Sequence, residues 1–268
     1  MSVLHAVVLG AVQGLTEFVP ISSSGHLVLV PEALGWDEPG LAFDVLLHAA
    51  SLLALIAYFA GDLIDLARGA AARDRRSLML VGLLAVGTVP AAVAGIALGE
   101  FFEDRFEDAP AAALQLLVTA VILVGGEIAL AAREKHAART GTGMRRIDDL
   151  GYVDAVAIGG AQAVSILPGI SRSGATIGAG LALGMRRDDA ARFSFLLSIP
   201  ALIGATIVAV PDLSGASLGL GAGIAGFAAS LVTSYAAIWG LIRYLRTNTL
   251  YPFAAYCIVA GIVFYLLV

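Results

Sequence analysis

The sequence predicts an all-α integral membrane protein built as an inverted-topology repeat, with six transmembrane helices and two broken re-entrant helical hairpins. Three observations carry that expectation: the amount of apolar sequence, its division into runs of membrane-crossing length, and two apolar stretches broken in the middle by Pro, Gly and Ser. Of 268 residues, 59% are apolar and 14% charged, against about 45–50% and about 25% in soluble domains. Mean hydropathy is +0.90. An aqueous fold of this size has no interior large enough to hide that excess, so lipid must be the solvent. A net charge of −5 argues against a nucleic-acid partner, which calls for a basic stripe. The single cysteine, Cys257, cannot close a bridge within the chain. The first positively charged side chain is Arg68, so no cleavable signal peptide is expected and the N-terminus is expected to be retained.

Hydrocarbon about 30 Å thick asks for about 20 apolar residues per helix. Six runs qualify: Phe43 to Ala60, Ser77 to Gly99, Pro110 to Ala132, Phe193 to Val210, Ser217 to Leu241 and Leu250 to Val268. The stretches Val3 to Leu34 and Tyr152 to Met185 contain the breaks Pro20–Gly25 and Pro168–Gly174. Their flanks are too short to span and read as half-helices. Arginine sets relative sidedness, because basic loops stay cytoplasmic. Arg68 to Arg76, Arg133 to Arg146, Arg186 to Arg192 and Arg243 with Arg246 then lie inside, and the acidic loops Glu100 to Asp108 and Pro211 to Ser214 lie outside. Every run crosses consistently under this assignment, and both termini fall outside. The result is one membrane domain, 1–268, in two halves of opposite insertion, about 1–132 and 150–268. Gln13 precedes Gly25 by the same interval as Gln162 precedes Gly174, and a Ser-rich break precedes each glycine. Half-helices paired across such a pseudo-twofold aim their N-termini at a ligand near the membrane midplane, and an anion is implied.

In the first break Gln13 and Glu17 share a helix face one turn apart. A carboxylate inside a membrane is costly and by default functional. Ser22, Ser23 and Ser24 can cap the next half-helix and leave its N–H groups as an anion cradle, with Gly25 permitting close backbone approach. His26 can exchange a proton near neutral pH. In the second break Arg172 sits among Ser171, Ser173 and Thr176, between Gly169 and Gly174. Its permanent charge needs an anionic partner. Ligand phosphate in a nest of hydroxyls and backbone N–H groups is the expectation, with an ion pair to Glu17 as the alternative. Glu127 is expected to snorkel, Asp44 and His48 are weaker candidates at the start of the first run, and Tyr235, Trp239 and Tyr244 read as an interfacial belt. Nucleotide-hydrolysis loops and zinc-protease pairs are missing from the sequence.

The runs Q-G-L-T-E-F-V-P-I-S-S-S-G-H at 13–26 and P-G-I-S-R-S-G-A-T at 168–176 resemble the two signature motifs of the undecaprenyl-diphosphate phosphatases, the BacA or UppP family. The resemblance extends over the whole chain. It implies removal of the terminal phosphate of a C55 polyprenyl diphosphate at the outer face of the plasma membrane, regenerating the lipid carrier for cell-wall glycan assembly and underlying bacitracin resistance. Glu17, Ser23, His26 and Arg172 are the implied catalytic residues. Ser23 is the nucleophile, His26 activates it or water, Arg172 holds phosphate, and Glu17 orients His26 or ligates a metal. Gln13, Ser22, Ser24, Gly25, Gly169, Ser171, Ser173, Gly174 and Thr176 are the implied substrate-binding residues. A divalent cation, Mg²⁺ or Ca²⁺, is the implied cofactor. Gln13 stands where the family carries Glu or Gln, which argues against a scheme with two carboxylates. The expected partners are the polyprenyl diphosphate and membrane lipids, with a homodimer allowed. The rival reading is a transporter or flippase for a phosphorylated polyprenyl carrier, since inverted repeats also underlie alternating access.

Overall fold

The computed structural model describes residues 1–37, 39–98, 108–209 and 219–267. Among them are eleven α-helices and no strand. The first broken stretch forms α1 (Val3–Phe18) and α2 (Ser23–Leu34), and the second forms α7 (Tyr152–Val164) and α8 (Arg172–Ala182). Between and after them lie α3 (Leu41–Tyr58), α4 (Ala60–Ala71), α5 (Arg75–Ala97), α6 (Ala109–Thr140), α9 (Arg187–Ala209), α10 (Leu220–Leu245) and α11 (Tyr251–Leu267). Both breaks therefore become pairs of short helices.

Five helices, α3, α5, α6, α9 and α10, are long and apolar enough to cross a membrane. The sixth expected run forms α11, which has 17 residues and a length of about 25 Å at about 1.5 Å per residue. The acidic loops expected outside lie, apart from Asp108, beyond the described residues. Helix α6 does not stop at Ala132 but continues through the basic segment to Thr140. The segment after the first run is also helical: α4 turns off at Phe59 and buries none of its residues.

Three of the four basic segments lie together at one end of the bundle. Arg76 Nε donates to Asp148 Oδ1 at 2.7 Å, Arg187 Nη1 to Glu134 Oε1 at 3.2 Å, and Arg192 pairs with Asp62. Glu127 does not snorkel. It is 1% exposed, accepts from Arg187 Nε and Nη2 at 2.7–3.1 Å, and also accepts from the Leu250 backbone N–H at 2.8 Å. One buried carboxylate so ties α6 to α9 and to the start of α11.

Small and polar side chains do the remaining helix joining, as expected where lipid removes the hydrophobic drive between helices. A Cβ at Gly10 on α1 would lie 2.3 Å from the Gly226 carbonyl oxygen on α10. A Cβ at Gly159 on α7 would lie 2.1 Å from the Gly87 carbonyl oxygen on α5. Gly10 and Gly159 stand three residues before Gln13 and Gln162 respectively, and both positions make close backbone approaches. Between α3 and α10, the buried hydroxyls of Ser51, Ser230 and Ser234 form a ladder at 3.0–3.2 Å, ending on the Leu47 carbonyl. The main apolar core gathers Phe18, Leu123, Ile177, Phe193 and Phe195 beneath the two turns.

The glycine contacts fix an expectation. Gly159→Val should lower the unfolding midpoint in detergent, by an amount equivalent to about 1–3 kcal/mol of overpacking, whereas Gly125→Val, with open space where its Cβ would sit, should leave it unchanged. Equal midpoints for the two variants would contradict the close α5–α7 approach.

Candidate active site

Both turns are built from the same local chemistry. Ser22 caps α2 and Ser171 caps α8, each accepting from the backbone N–H three residues on, Gly25 at 3.3 Å and Gly174 at 3.0 Å. Ser22 also meets the hydroxyl of Ser24 at 3.3 Å, as Ser171 meets that of Ser173 at 3.1 Å. Side-chain caps of this kind satisfy N–H groups that would otherwise be orphaned at a helix start. The backbones differ. Ser171 is extended, while Ser22 has φ 69° and ψ 102°, a left-handed conformation that costs a residue with a Cβ about 1–3 kcal/mol. In the second turn the positive φ falls on Gly169, at 92°. Only glycine fits there, because a Cβ would lie 2.3 Å from the Ala112 carbonyl oxygen.

The turns touch. A Cβ at Gly25 would be 3.0 Å from Gly169 Cα. Thr119 of α6 pins the second turn from behind, donating to the Gly169 carbonyl and accepting from the Ser171 N–H, both at 2.9 Å. Thr119 gives no sign of this in the sequence, since its partners lie some fifty residues away.

Glu17, with its side chain 2% exposed, is the point on which the site converges. Arg172 Nη2 donates to Oε1; Ser23 Oγ donates to Oε2 at 2.5 Å and Gln13 Nε2 donates to the same oxygen at 3.0 Å. Ser23 and Arg172 are the first residues of α2 and α8. Two helix N-termini, each the positive end of its dipole, therefore bring their first side chains to one carboxylate. Of the two partners expected for Arg172, Glu17 is the one in contact here. His48 Nε2 stands 3.8 Å from Glu17 Oε2, its Nδ1 donating to the Asp44 carbonyl at 2.8 Å. A residue read as a weak candidate in sequence thus borders the site, brought in by α3.

Two expected residues have their hydrogen bonds away from Glu17 and Ser23. His26 is buried, and its hydrogen bonds go to the Ser22 carbonyl, 2.7 Å from Nδ1, and to Tyr256 Oη, 2.7 Å from Nε2, while the Ser23 hydroxyl goes to Glu17. Thr176 Oγ1 donates to the Arg172 carbonyl at 2.8 Å and meets Ser194 Oγ at 2.5 Å, so its hydroxyl joins α8 to α9.

Among the described residues no three His, Cys, Asp or Glu side chains converge to hold a metal ion. An all-protein cage is therefore not what the site offers. Among the described residues Gln13 Oε1 is buried with no hydrogen-bond partner, beside the Glu17 carboxylate that its own amide nitrogen contacts. These hard oxygens fit a Mg²⁺ or Ca²⁺ ion whose other ligands come from water and phosphate.

Residues 6–263 match the family described as bacitracin resistance protein BacA. Curated relatives span nearly the full chain. An undecaprenyl-diphosphatase of Idiomarina loihiensis is 38% identical, with 100% of this chain and 99% of the relative aligned. Proteins of the same name from Alcanivorax borkumensis and Methanosphaera stadtmanae are 42% and 39% identical, each over 98% of this chain and 97% of the relative.

The ion pair yields a stability test. In a double-mutant cycle on Glu17→Gln and Arg172→Gln, each single variant leaves one charge without its partner. The double variant is expected to lose less than the two singles together, with a coupling of about 0.5–3 kcal/mol in detergent unfolding. Strict additivity would mean the two groups do not interact.

Proposed function

The chain belongs to the family of bacitracin resistance proteins, BacA, and from that premise we propose that it is a phosphatase of the membrane, hydrolysing the terminal phosphate of undecaprenyl diphosphate. The observation that carries the reading is the shared carboxylate: Ser23 Oγ lies 2.5 Å from Glu17 Oε2 while Arg172 holds Oε1. A hydroxyl hydrogen-bonded to a carboxylate, with a guanidinium alongside, is a nucleophile, a base and an anion holder in one place.

The terminal phosphate enters at the two helix N-termini, where the guanidinium of Arg172 exchanges Glu17 for phosphate oxygens and forks onto them. The N–H groups at the starts of α2 and α8 that the Ser22 and Ser171 caps leave open, with the Ser24 and Ser173 hydroxyls, complete the cradle. Glu17, released from the guanidinium, accepts the Ser23 proton. Ser23 Oγ attacks the terminal phosphorus in line, the Oγ–P bond forming as the P–O bond to undecaprenyl phosphate breaks and its electron pair leaves on the lipid monophosphate. Water then attacks the phosphoserine. Glu17 returns the proton to Ser23, inorganic phosphate keeps the water oxygen and one of its protons, and the other proton passes to solvent. A divalent cation would be held by Glu17 and Gln13 Oε1 and would offset phosphate charge.

The inverted repeat belongs to the same proposal. Its supports are the paired serine caps, the close glycine approaches of α1 on α10 and α7 on α5, and the shared end of three basic segments. With those segments in the cytoplasm, both termini lie outside and the site opens to the outer face of the plasma membrane.

The test is phosphate release by purified protein in detergent over a panel of isoprenyl diphosphates, with and without EDTA. Release should be best from long-chain diphosphates and stop with EDTA. Arg172→Ala, Glu17→Gln and Ser23→Ala, folded as judged by gel filtration, should each lose about 10²–10³-fold or more in kcat. Full turnover by Arg172→Ala or Glu17→Gln would overturn the reading, and lipid movement across vesicles without phosphate release would favour a flippase.

A further inference from the structure

Ser22 is one of two non-glycine residues with positive φ among the described residues, and it directly precedes the proposed nucleophile. Its counterpart Ser171 makes the same cap with ordinary angles, so the cap alone does not require the left-handed backbone. Something must hold the first turn in its unfavourable state.

His26 contacts the turn twice. Its backbone N–H reaches the Ser22 carbonyl at 3.3 Å and its ring Nδ1 reaches the same oxygen at 2.7 Å. A carbonyl only accepts, so Nδ1 carries the proton. In the neutral ring Nε2 is then a lone pair, and Tyr256 Oη on α11 lies 2.7 Å from it as donor. The Tyr256 ring stacks on the imidazole, centroids 5.7 Å apart and 15° between planes, and Phe264 meets its edge. Both nitrogens are thus committed, and the ring cannot turn toward Ser23 without breaking both bonds. In the second turn the corresponding residue is Ala175, and no comparable grip operates on Ser171.

We propose that Tyr256 and His26 form a positioning pair: Tyr256 Oη donates to His26 Nε2, His26 Nδ1–H donates to the Ser22 carbonyl, and the left-handed Ser22 so held aims Ser23 at Glu17. His26 is then a positioning residue, and Tyr256 a functional residue contributed by the last helix. The inference rests on the phosphatase reading for its kinetic consequences but not for its geometry.

Two measurements separate it from that reading. In ¹⁵N-histidine NMR of the detergent-solubilised full chain, His26 should show the Nδ1–H tautomer, and Tyr256→Phe should move the Nε2 resonance. An Nε2–H tautomer overturns the proposal whether or not the protein releases phosphate. In phosphate-release kinetics Tyr256→Phe should lower kcat by about 3- to 10-fold with KM little changed, as expected for loss of one neutral hydrogen bond. His26→Asn, whose amide can still donate to the Ser22 carbonyl, should keep kcat within about 10-fold of the parent, and His26→Ala should lose about 100-fold or more. The pH profile of kcat/KM should keep its shape in Tyr256→Phe and His26→Asn. If His26→Asn is as inactive as His26→Ala and the ascending limb of the profile disappears, His26 is the base and the positioning role is wrong.

Discussion

A single buried carboxylate constrains the architecture. Glu17 sits in a lipid-solvated protein with almost no exposure, where an isolated charge is expensive. What makes the position tenable is the convergence on it of a guanidinium, a hydroxyl, an amide and two helix N-termini. That convergence demands that two half-helices meet tip to tip, which one continuous spanning helix could not arrange. The breaks at Pro20–Gly25 and Pro168–Gly174 free the chain to do it. The same electrostatics suit a diphosphate, because a place that satisfies a carboxylate with cationic and N–H donors will satisfy phosphate oxygens when the guanidinium changes partner.

The surrounding bundle keeps those tips in register. Helix α1 can lie against α10, and α7 against α5, only because glycines remove the side chains between the backbones. Hydroxyl ladders between helices, and the Glu127–Arg187 pair at the basic end, fasten the remaining helices. Thr119 and Tyr256 stand behind the two turns on α6 and α11, which themselves pack together. The rear wall of the site is one helix pair bracing both turns.

The candidate site was legible in sequence where its residues cluster along the chain. Gln13, Glu17 and Ser23 fall within one helix and its turn, and Arg172 stands alone among serines and glycines, so their proximity to a break announced them. Residues that act across the bundle were not legible. Nothing adjacent to Tyr256 or Thr119 marks them, and His48 stood out only weakly, because each reaches the site from a helix whose local pattern is ordinary. His26 was found from its motif, which says only that a histidine can exchange a proton, whereas its two ring partners, the Ser22 carbonyl and Tyr256, come only with the fold.

Composition and periodicity by themselves determined that this chain is a helical membrane protein, that two of its apolar stretches are broken, and that charges are committed to those breaks. They did so because lipid tolerates neither unpaired backbone nor idle charge, and both requirements are written in residue types along the chain. Only the tertiary structure decided which partner each charge takes. That choice depends on helix rotation and crossing distance, set by glycine contacts and hydroxyls on segments far apart in sequence. The Glu17–Arg172 contact, the turning of His26 onto Tyr256, and the diversion of Thr176 to Ser194 all belong to that second class.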